Sequence, residues 1–166
     1  MKNIELKVQV NEFGKFRRLL RAMKAKPEGV LNQVDTYFNS KKGRMKIREM
    51  NHGSCQLIFY QRPNRLDDRV SNYEIIDLGK KRCATLKNIL ALTNNNRVVV
   101  KKKRELWIYK HTRIHLDQVD KFGKYLELET VQKKISEGQA KQEFNQIVNK
   151  LLLGGYKKIK SSYSDM

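Results

Sequence analysis

The sequence is poor in residues that staple, break or anchor a chain. Its 166 residues include only two cysteines and two prolines. Cys55 and Cys83 sit in different segments without metal-ligand spacing, which excludes a zinc ribbon and a dense disulfide framework and leaves reduced thiols as the expectation. Proline occurs at Pro27 and Pro63 alone, and no Ser/Gly linker, composition break or internal repeat divides the chain. The reading is one domain over residues 1–155 followed by a basic polar tail, 156–166, loosely ordered at its end. No stretch approaches the ~20 consecutive apolar residues of a membrane helix. Met1-Lys2-Asn3-Ile4-Glu5 lacks the apolar block of a signal peptide, so a cytoplasmic or nuclear protein without a membrane partner is expected. Acidic residues are scarce as well. Seventeen Asp and Glu face 36 Lys and Arg, a formal charge of +19, which points to an anionic partner such as nucleic acid, polyphosphate or a nucleotide.

What is present is periodic. Asn3 to Val10 alternates, with Ile4, Leu6, Val8 and Val10 apolar, the pattern of a strand with one buried face. Asn11 is placed to cap a helix running to about Lys24, with Phe13, Phe16, Leu20 and Met23 on one side. Strand character returns over 33–39, 44–50, 56–61 and 70–78, with turn chemistry between. A helical spacing covers 81–92 through Leu86, Ile89 and Leu90. Three more strands are predicted over 97–104 running on toward Tyr109, 113–119 and 124–131. A last helix carries the clearest signals. Ser136 and Gln139 form a capping box, Ala140, Phe144, Ile147, Val148, Leu151 and Leu152 make an apolar stripe, and Gly154-Gly155 supplies the stop. The sum is an α+β domain of about eight antiparallel strands with three helices outside, and eight strands invite closure into a β-barrel.

Alternate residues on a strand share a face, and the charges fall on shared faces. Asn3, Glu5 and Lys7 point together, as do Arg44, Lys46 and Arg48; Lys101 and Lys103; Arg113, His115 and Asp117; and Glu127 and Glu129. A sheet with one side in water shows the same alternation. Two features favour an enclosed face instead. Arg and Lys recur on consecutive strands, where like charges repel unless anions intervene. The acids are grouped, and Glu127-x-Glu129 sets two carboxylates side by side as a hard cation requires. A cavity lined this way suits a triphosphate, with Arg forks and Lys point charges on its oxygens and Mg²⁺ or Mn²⁺ bridging carboxylates to the same anion.

The ordered blocks resemble the CYTH family of triphosphate tunnel metalloenzymes, closest to its class IV adenylyl cyclase-like branch. Asn3-Ile-Glu5-Leu-Lys7 is similar to the amino-terminal E-x-E-x-K signature. It is followed by Gln33-Val-Asp-Thr-Tyr-Phe38, Gly43-Arg-Met-Lys-Ile-Arg-Glu49, Tyr60-Gln-Arg-Pro63, Ser71-Asn-Tyr73, Val99-Val-Lys-Lys-Lys-Arg104, Arg113-Ile-His-Leu-Asp-Gln-Val119 and Gly123-Lys-Tyr-Leu-Glu-Leu-Glu129. The resemblance implies a closed eight-stranded antiparallel barrel that grips a triphosphate in its bore. Glu5, Glu127 and Glu129 would be metal ligands at the catalytic centre, with Asp117 a further acidic contributor. Lys7, Lys46, Arg48, Arg62, Lys101, Lys103 and Arg113 would bind phosphate, with Arg44 on the same face. Ser71 and Tyr73 match a block without an assigned role, and His115 reads as a hydrogen-bonded wall residue.

Two positions depart from the pattern. Asn3 stands in place of the first glutamate, removing an anionic ligand while keeping an oxygen donor. Lys103 stands where relatives often carry Arg, a point charge for a fork. The leading expectation is metal-dependent hydrolysis of tripolyphosphate or a nucleoside triphosphate. The alternatives are cyclisation of ATP to cyclic AMP and pyrophosphate, and an RNA 5′-triphosphatase or a triphosphate- or RNA-binding module. A monomer or homodimer is expected.

Overall fold

A computed structural model describes residues 2–61, 69–160 and 163. Eight strands, β1 (Lys2–Val10), β2 (Lys26–Phe38), β3 (Arg44–Met50), β4 (Cys55–Gln61), β5 (Arg69–Leu78), β6 (Asn96–Tyr109), β7 (Thr112–Val119) and β8 (Gly123–Val131), form the wall. They close into a barrel in the order β1-β5-β4-β3-β2-β6-β7-β8, and every pairing is antiparallel. Three helices, α1 (Gly14–Ala22), α2 (Lys80–Asn94) and α3 (Glu137–Lys150), lie outside.

The hydrophobic core lies outside the barrel wall, because the apolar face of each strand turns outward to meet a helix. Ile4, Leu6 and Val8 of β1, Ile114 and Leu116 of β7, and Leu126 and Leu128 of β8 pack with Phe16 and Leu20 of α1 and with Ala140, Phe144 and Ile147 of α3. On the opposite side Phe38, Ile47 and Cys55 pack with Cys83 of α2. The lumen is left to the alternate, ionisable residues. Docking of α3 is reinforced by Glu143. Its carboxylate accepts from the His111 backbone N–H at 2.9 Å and from the Thr112 hydroxyl at 2.7 Å.

Several local expectations are corrected. Cys55 and Cys83 form a disulfide between β4 and α2 across 28 residues, because barrel closure brings two distant buried sites together. Helix α1 is not capped by Asn11. It begins at Gly14, and the Glu12 carboxylate accepts from the Lys15 backbone N–H at 3.1 Å, a charge suited to the helix N-terminus. Strand β2 starts at Lys26 rather than Gln33, since pairing with the long β6 carries it through Pro27 and Gly29. The register shifts between those two residues, and Gly29 sits at φ +116°, a backbone state that favours glycine. The capping box of α3 forms as expected, with Gln139 N–H donating to Ser136 Oγ at 3.2 Å and Ser136 N–H to Gln139 Oε1 at 2.9 Å. That helix ends ahead of the glycine pair. Leu152 takes a left-handed conformation at φ 55° and leaves the apolar stripe for solvent, 59% exposed. The tail adds a bridge to β1 at Val8 and Lys158, and it buries Ile159 and Tyr163.

Candidate active site in the barrel lumen

The lumen holds a cavity of about 250 Å³. Its wall takes Asn3, Glu5 and Lys7 from β1, Lys46 and Arg48 from β3, Lys102 and Arg104 from β6, Arg113 and His115 from β7, and Glu127 and Glu129 from β8. Period-two alternation on each strand produces this convergence, and the registers fix who meets whom. Lys7 faces Glu127 across the β1–β8 ladder and Glu5 faces Glu129. Arg113 faces Glu129 and His115 faces Glu127 across β7–β8. Arg104 faces Asp117 across β6–β7.

Buried cations demand buried partners, and two carboxylates supply most of them. Asp35, fully buried, accepts from Arg48 Nε at 2.7 Å and Nη2 at 2.9 Å and from Lys46 Nζ at 2.8 Å, and lies 3.8 Å from Lys102 Nζ. Burial alone would raise its pKa, but the charges of Arg48, Lys46 and Lys102 hold it well below the usual carboxylate range. Asp117, also fully buried, accepts from Arg104 Nε at 2.7 Å and Nη2 at 2.6 Å, and lies 3.6 Å from Lys102 Nζ. Against burial, Arg104 and Lys102 bring its pKa to about 2. Arg104 Nη2 also donates to Glu127 at 2.6 Å. Lys102 is pushed down to about 7, by burial first and by the neighbouring Arg104 charge next.

A third group can take a cation. His115, Glu127 and Glu129 offer ligand atoms that all lie within 4.8 Å of one another. The His115 Nδ1 is buried without a hydrogen-bond partner, 3.6 Å from Glu127 and 3.8 Å from Glu129. Burial and the Arg104 charge lower the His115 pKa, keeping the imidazole neutral at pH 7. Both glutamates are held below the usual range despite burial, Glu127 by the charges of Lys7 and Arg104, Glu129 by those of Arg113 and Arg104. Asn3 Oδ1, in a side chain only 2% exposed, is likewise unpartnered. Two carboxylates, one neutral imidazole and an orphaned amide oxygen in one wall form a donor set that fits a divalent ion.

The structure thus brings together Glu5, Lys7, Lys46, Arg48, Arg113, Glu127 and Glu129. Arg44 lies at the tyrosine end, 5.9 Å from the Tyr60 ring. Lys101 and Lys103 are corrected: both are exposed on the outer face, and Lys102 and Arg104 occupy the lumen in their place. Val98 to Arg104 runs three valines into four cations without alternation, so its parity is invisible locally. Trp107 decides it by burying itself outward beneath the helices, which turns Lys102, Arg104 and Leu106 inward. Asp117 is placed as the counter-ion of Arg104 and stands outside the cation-binding group. Arg62 lies outside the described residues, and Ser71 is described through its backbone, opposite Asn3. Tyr73 lines the cavity, where its hydroxyl accepts from Arg113 at 3.3 Å. Asp35 and Tyr163 were missed. Asp35 had a signal, being an aspartate between Val34 and Thr36 in a strand, where the residue is rare. Tyr163 had none.

The sequence matches the CYTH domain over residues 1–163. The chain belongs to the CYTH family. Solved structures carry the same fold at low identity. A Pyrococcus horikoshii protein shares 19% identity at a TM-score of 0.84, with 98% of each chain covered. A Vibrio parahaemolyticus protein described as a candidate adenylate cyclase shares 16% at a TM-score of 0.74, covering 98% of this chain and 95% of that one. A Hippeastrum protein, described as a candidate adenylyl cyclase with a dominant triphosphatase activity, shares 12% at a TM-score of 0.65, covering 97% and 92%. No curated protein matches the sequence. Among the described residues of this CYTH domain, no helix is long and apolar enough to cross a membrane.

Proposed function

We propose that this CYTH protein is a metal-dependent triphosphatase that hydrolyses tripolyphosphate or a nucleoside triphosphate inside its barrel. The observation that carries this reading is the convergence, on one lumen, of six cations with a group of cation ligands whose two carboxylates also pair with Lys7, Arg104 and Arg113. His115, Glu127 and Glu129 would hold Mg²⁺ or Mn²⁺, with Glu5 and Asn3 in the same wall. A divalent ion bound there supplies charge neutralisation and polarisation of a phosphoryl oxygen.

The remaining work falls to the chain. Lys7, Lys46, Arg48, Lys102 and Arg113 would bind phosphoryl oxygens. Arg104, held in place by Asp117 and Glu127 before substrate arrives, would add positive charge beside the leaving bridging oxygen. In the hydrolysis a water oxygen bonds to the terminal phosphorus, the bridging P–O bond breaks, and the ionised carboxylates are the acceptors available for the proton that water releases.

A second reading, cyclisation of ATP, is favoured by the apolar rim of Leu31, Met50, Ile75 and Leu106, which can seat the organic part of a nucleotide. Incubation with tripolyphosphate, ATP and 5′-triphosphate RNA under Mg²⁺ and then Mn²⁺ separates the readings. Orthophosphate from tripolyphosphate or a nucleoside triphosphate supports the first. Cyclic AMP with pyrophosphate supports the second, and orthophosphate from RNA alone supports an RNA 5′-triphosphatase. Salt-sensitive RNA retention without turnover supports a binding module.

A further inference from the structure

One end of the cavity is made of tyrosines. Tyr37 of β2, Tyr60 of β4 and Tyr163 of the tail line it there. Behind them Val100, Val119, Tyr125 and Ile159 form a packed cluster with Tyr37 and Tyr163, and none of those four reaches the cavity. The tail is tied to the wall rather than resting on it. The Gln9 N–H donates to the Lys157 carbonyl at 3.2 Å and the Ile159 N–H to the Lys7 carbonyl at 2.8 Å, which steers the chain across the barrel end. Tyr163 then enters the bore, 3% exposed. Its hydroxyl donates to Asp117 at 3.2 Å, and its ring lies 3.6 Å from Lys7 Nζ and 5.0 Å from Lys102 Nζ. The opposite rim carries Leu31, Met50, Ile75 and Leu106 and no such cluster among the described residues.

We infer that the tail makes the bore blind, so that Tyr163 acts as a specificity-determining floor that admits only the free end of a short phosphate chain, terminal phosphoryl group first. This rests on the triphosphate reading and goes further, because it fixes direction and length. A nucleoside triphosphate enters with its phosphates deepest and its organic part at the apolar rim. An internal segment of a long polyphosphate has no route past the tyrosines. At about 250 Å³ the cavity is small beside the ~300–1,000 Å³ of sites that enclose drug-sized ligands.

The test compares three probes on the full chain by calorimetry: tripolyphosphate, long-chain polyphosphate with free ends, and the same polymer with both ends blocked as bulky phosphoramidates. The wild-type protein is expected to bind tripolyphosphate, to bind the free-ended polymer at a stoichiometry counting chain ends, and to bind the blocked polymer at least roughly tenfold more weakly. Blocked polymer bound as tightly as tripolyphosphate overturns the floor while leaving the triphosphate reading intact. Failure to bind tripolyphosphate overturns both. Tyr163→Ala, checked for folding by its melting curve, is expected to recover binding of blocked polymer, whereas Tyr163→Phe keeps the ring and the discrimination. A folded Tyr163→Ala protein that still rejects blocked polymer would assign the selectivity elsewhere and overturn the role of this residue.

Discussion

Replacing Asp35 with Asn probes the electrostatic construction of the lumen more directly than any change at the proposed metal ligands. The carboxylate is fully buried and serves Arg48 through two hydrogen bonds, Lys46 through one, and Lys102 at 3.8 Å. Asparagine keeps the shape, but it offers one acceptor oxygen and turns an amide donor toward groups that only donate. Breaking a buried pair from one side costs about 3–5 kcal/mol, because a charge is left buried without compensation. At about 2–4 °C per kcal/mol for a chain of this size, the ligand-free melting temperature should fall by roughly 6–20 °C. A polyanion in the bore supplies the missing negative charge. Tripolyphosphate should therefore stabilise the variant more than the wild type and bind it more tightly, by the linkage between ligand concentration and stability. The assay is urea and thermal unfolding across a tripolyphosphate titration. A loss under about 0.5 kcal/mol, within the range of ordinary surface substitutions, would refute the claim that these ions are mutually dependent. So would a loss that tripolyphosphate does not lessen.

Other consequences are as specific. Glu129→Gln should abolish turnover while leaving tripolyphosphate binding largely intact, as read by product assay beside calorimetry; unchanged turnover would remove Glu129 from the site. The double change Lys101→Ala and Lys103→Ala, on the outer face, should leave tripolyphosphate affinity within about twofold, whereas Arg104→Met should weaken it by about tenfold or more. Lys102, depressed to about 7 from an ordinary value near 10.5, makes stability pH-dependent with a definite sign. Below pH 7 the amine is protonated both folded and unfolded. Between about 7 and 10.5 the unfolded chain holds the extra proton, so ligand-free stability should rise with pH there, by at most about 1.4 kcal/mol per unit, and Lys102→Met should flatten the rise. Reduction of Cys55–Cys83 should cost about 3–4 kcal/mol from loop entropy across 28 residues, measured by unfolding with and without reductant alongside thiol titration.

The fold was legible wherever one face of a strand is apolar and the other ionisable. Asn3 to Val10, Arg44 to Met50 and Arg113 to Val119 carry that signal within themselves, and their elements lie within a residue or two of the predicted bounds. It failed where neighbours decide. Val98 to Arg104 takes its parity from Trp107 and the helices above it. The first turns of β2 exist because β6 is long enough to pair with them, against the local preference of Pro27 and Gly29. The disulfide depends on α2 lying over the start of β4, a tertiary fact that cysteine spacing does not encode. Asp35 was visible in the sequence yet unused, since its meaning lies in a partner, Lys102, on a strand more than sixty residues away.

Every cation lining the cavity already has a carboxylate: Lys7 with Glu127, Lys46 and Arg48 with Asp35, Lys102 between Asp35 and Asp117, Arg104 with Asp117 and Glu127, Arg113 with Glu129. Such a bore behaves as a loaded ion exchanger rather than as a magnet. A visiting polyanion must evict resident carboxylates or arrive with positive charge of its own. A single chloride or sulfate cannot displace a two-pronged aspartate, but a chain presenting many oxygens at once can. Selection by this lumen should follow the number and spacing of oxygen atoms more closely than total charge.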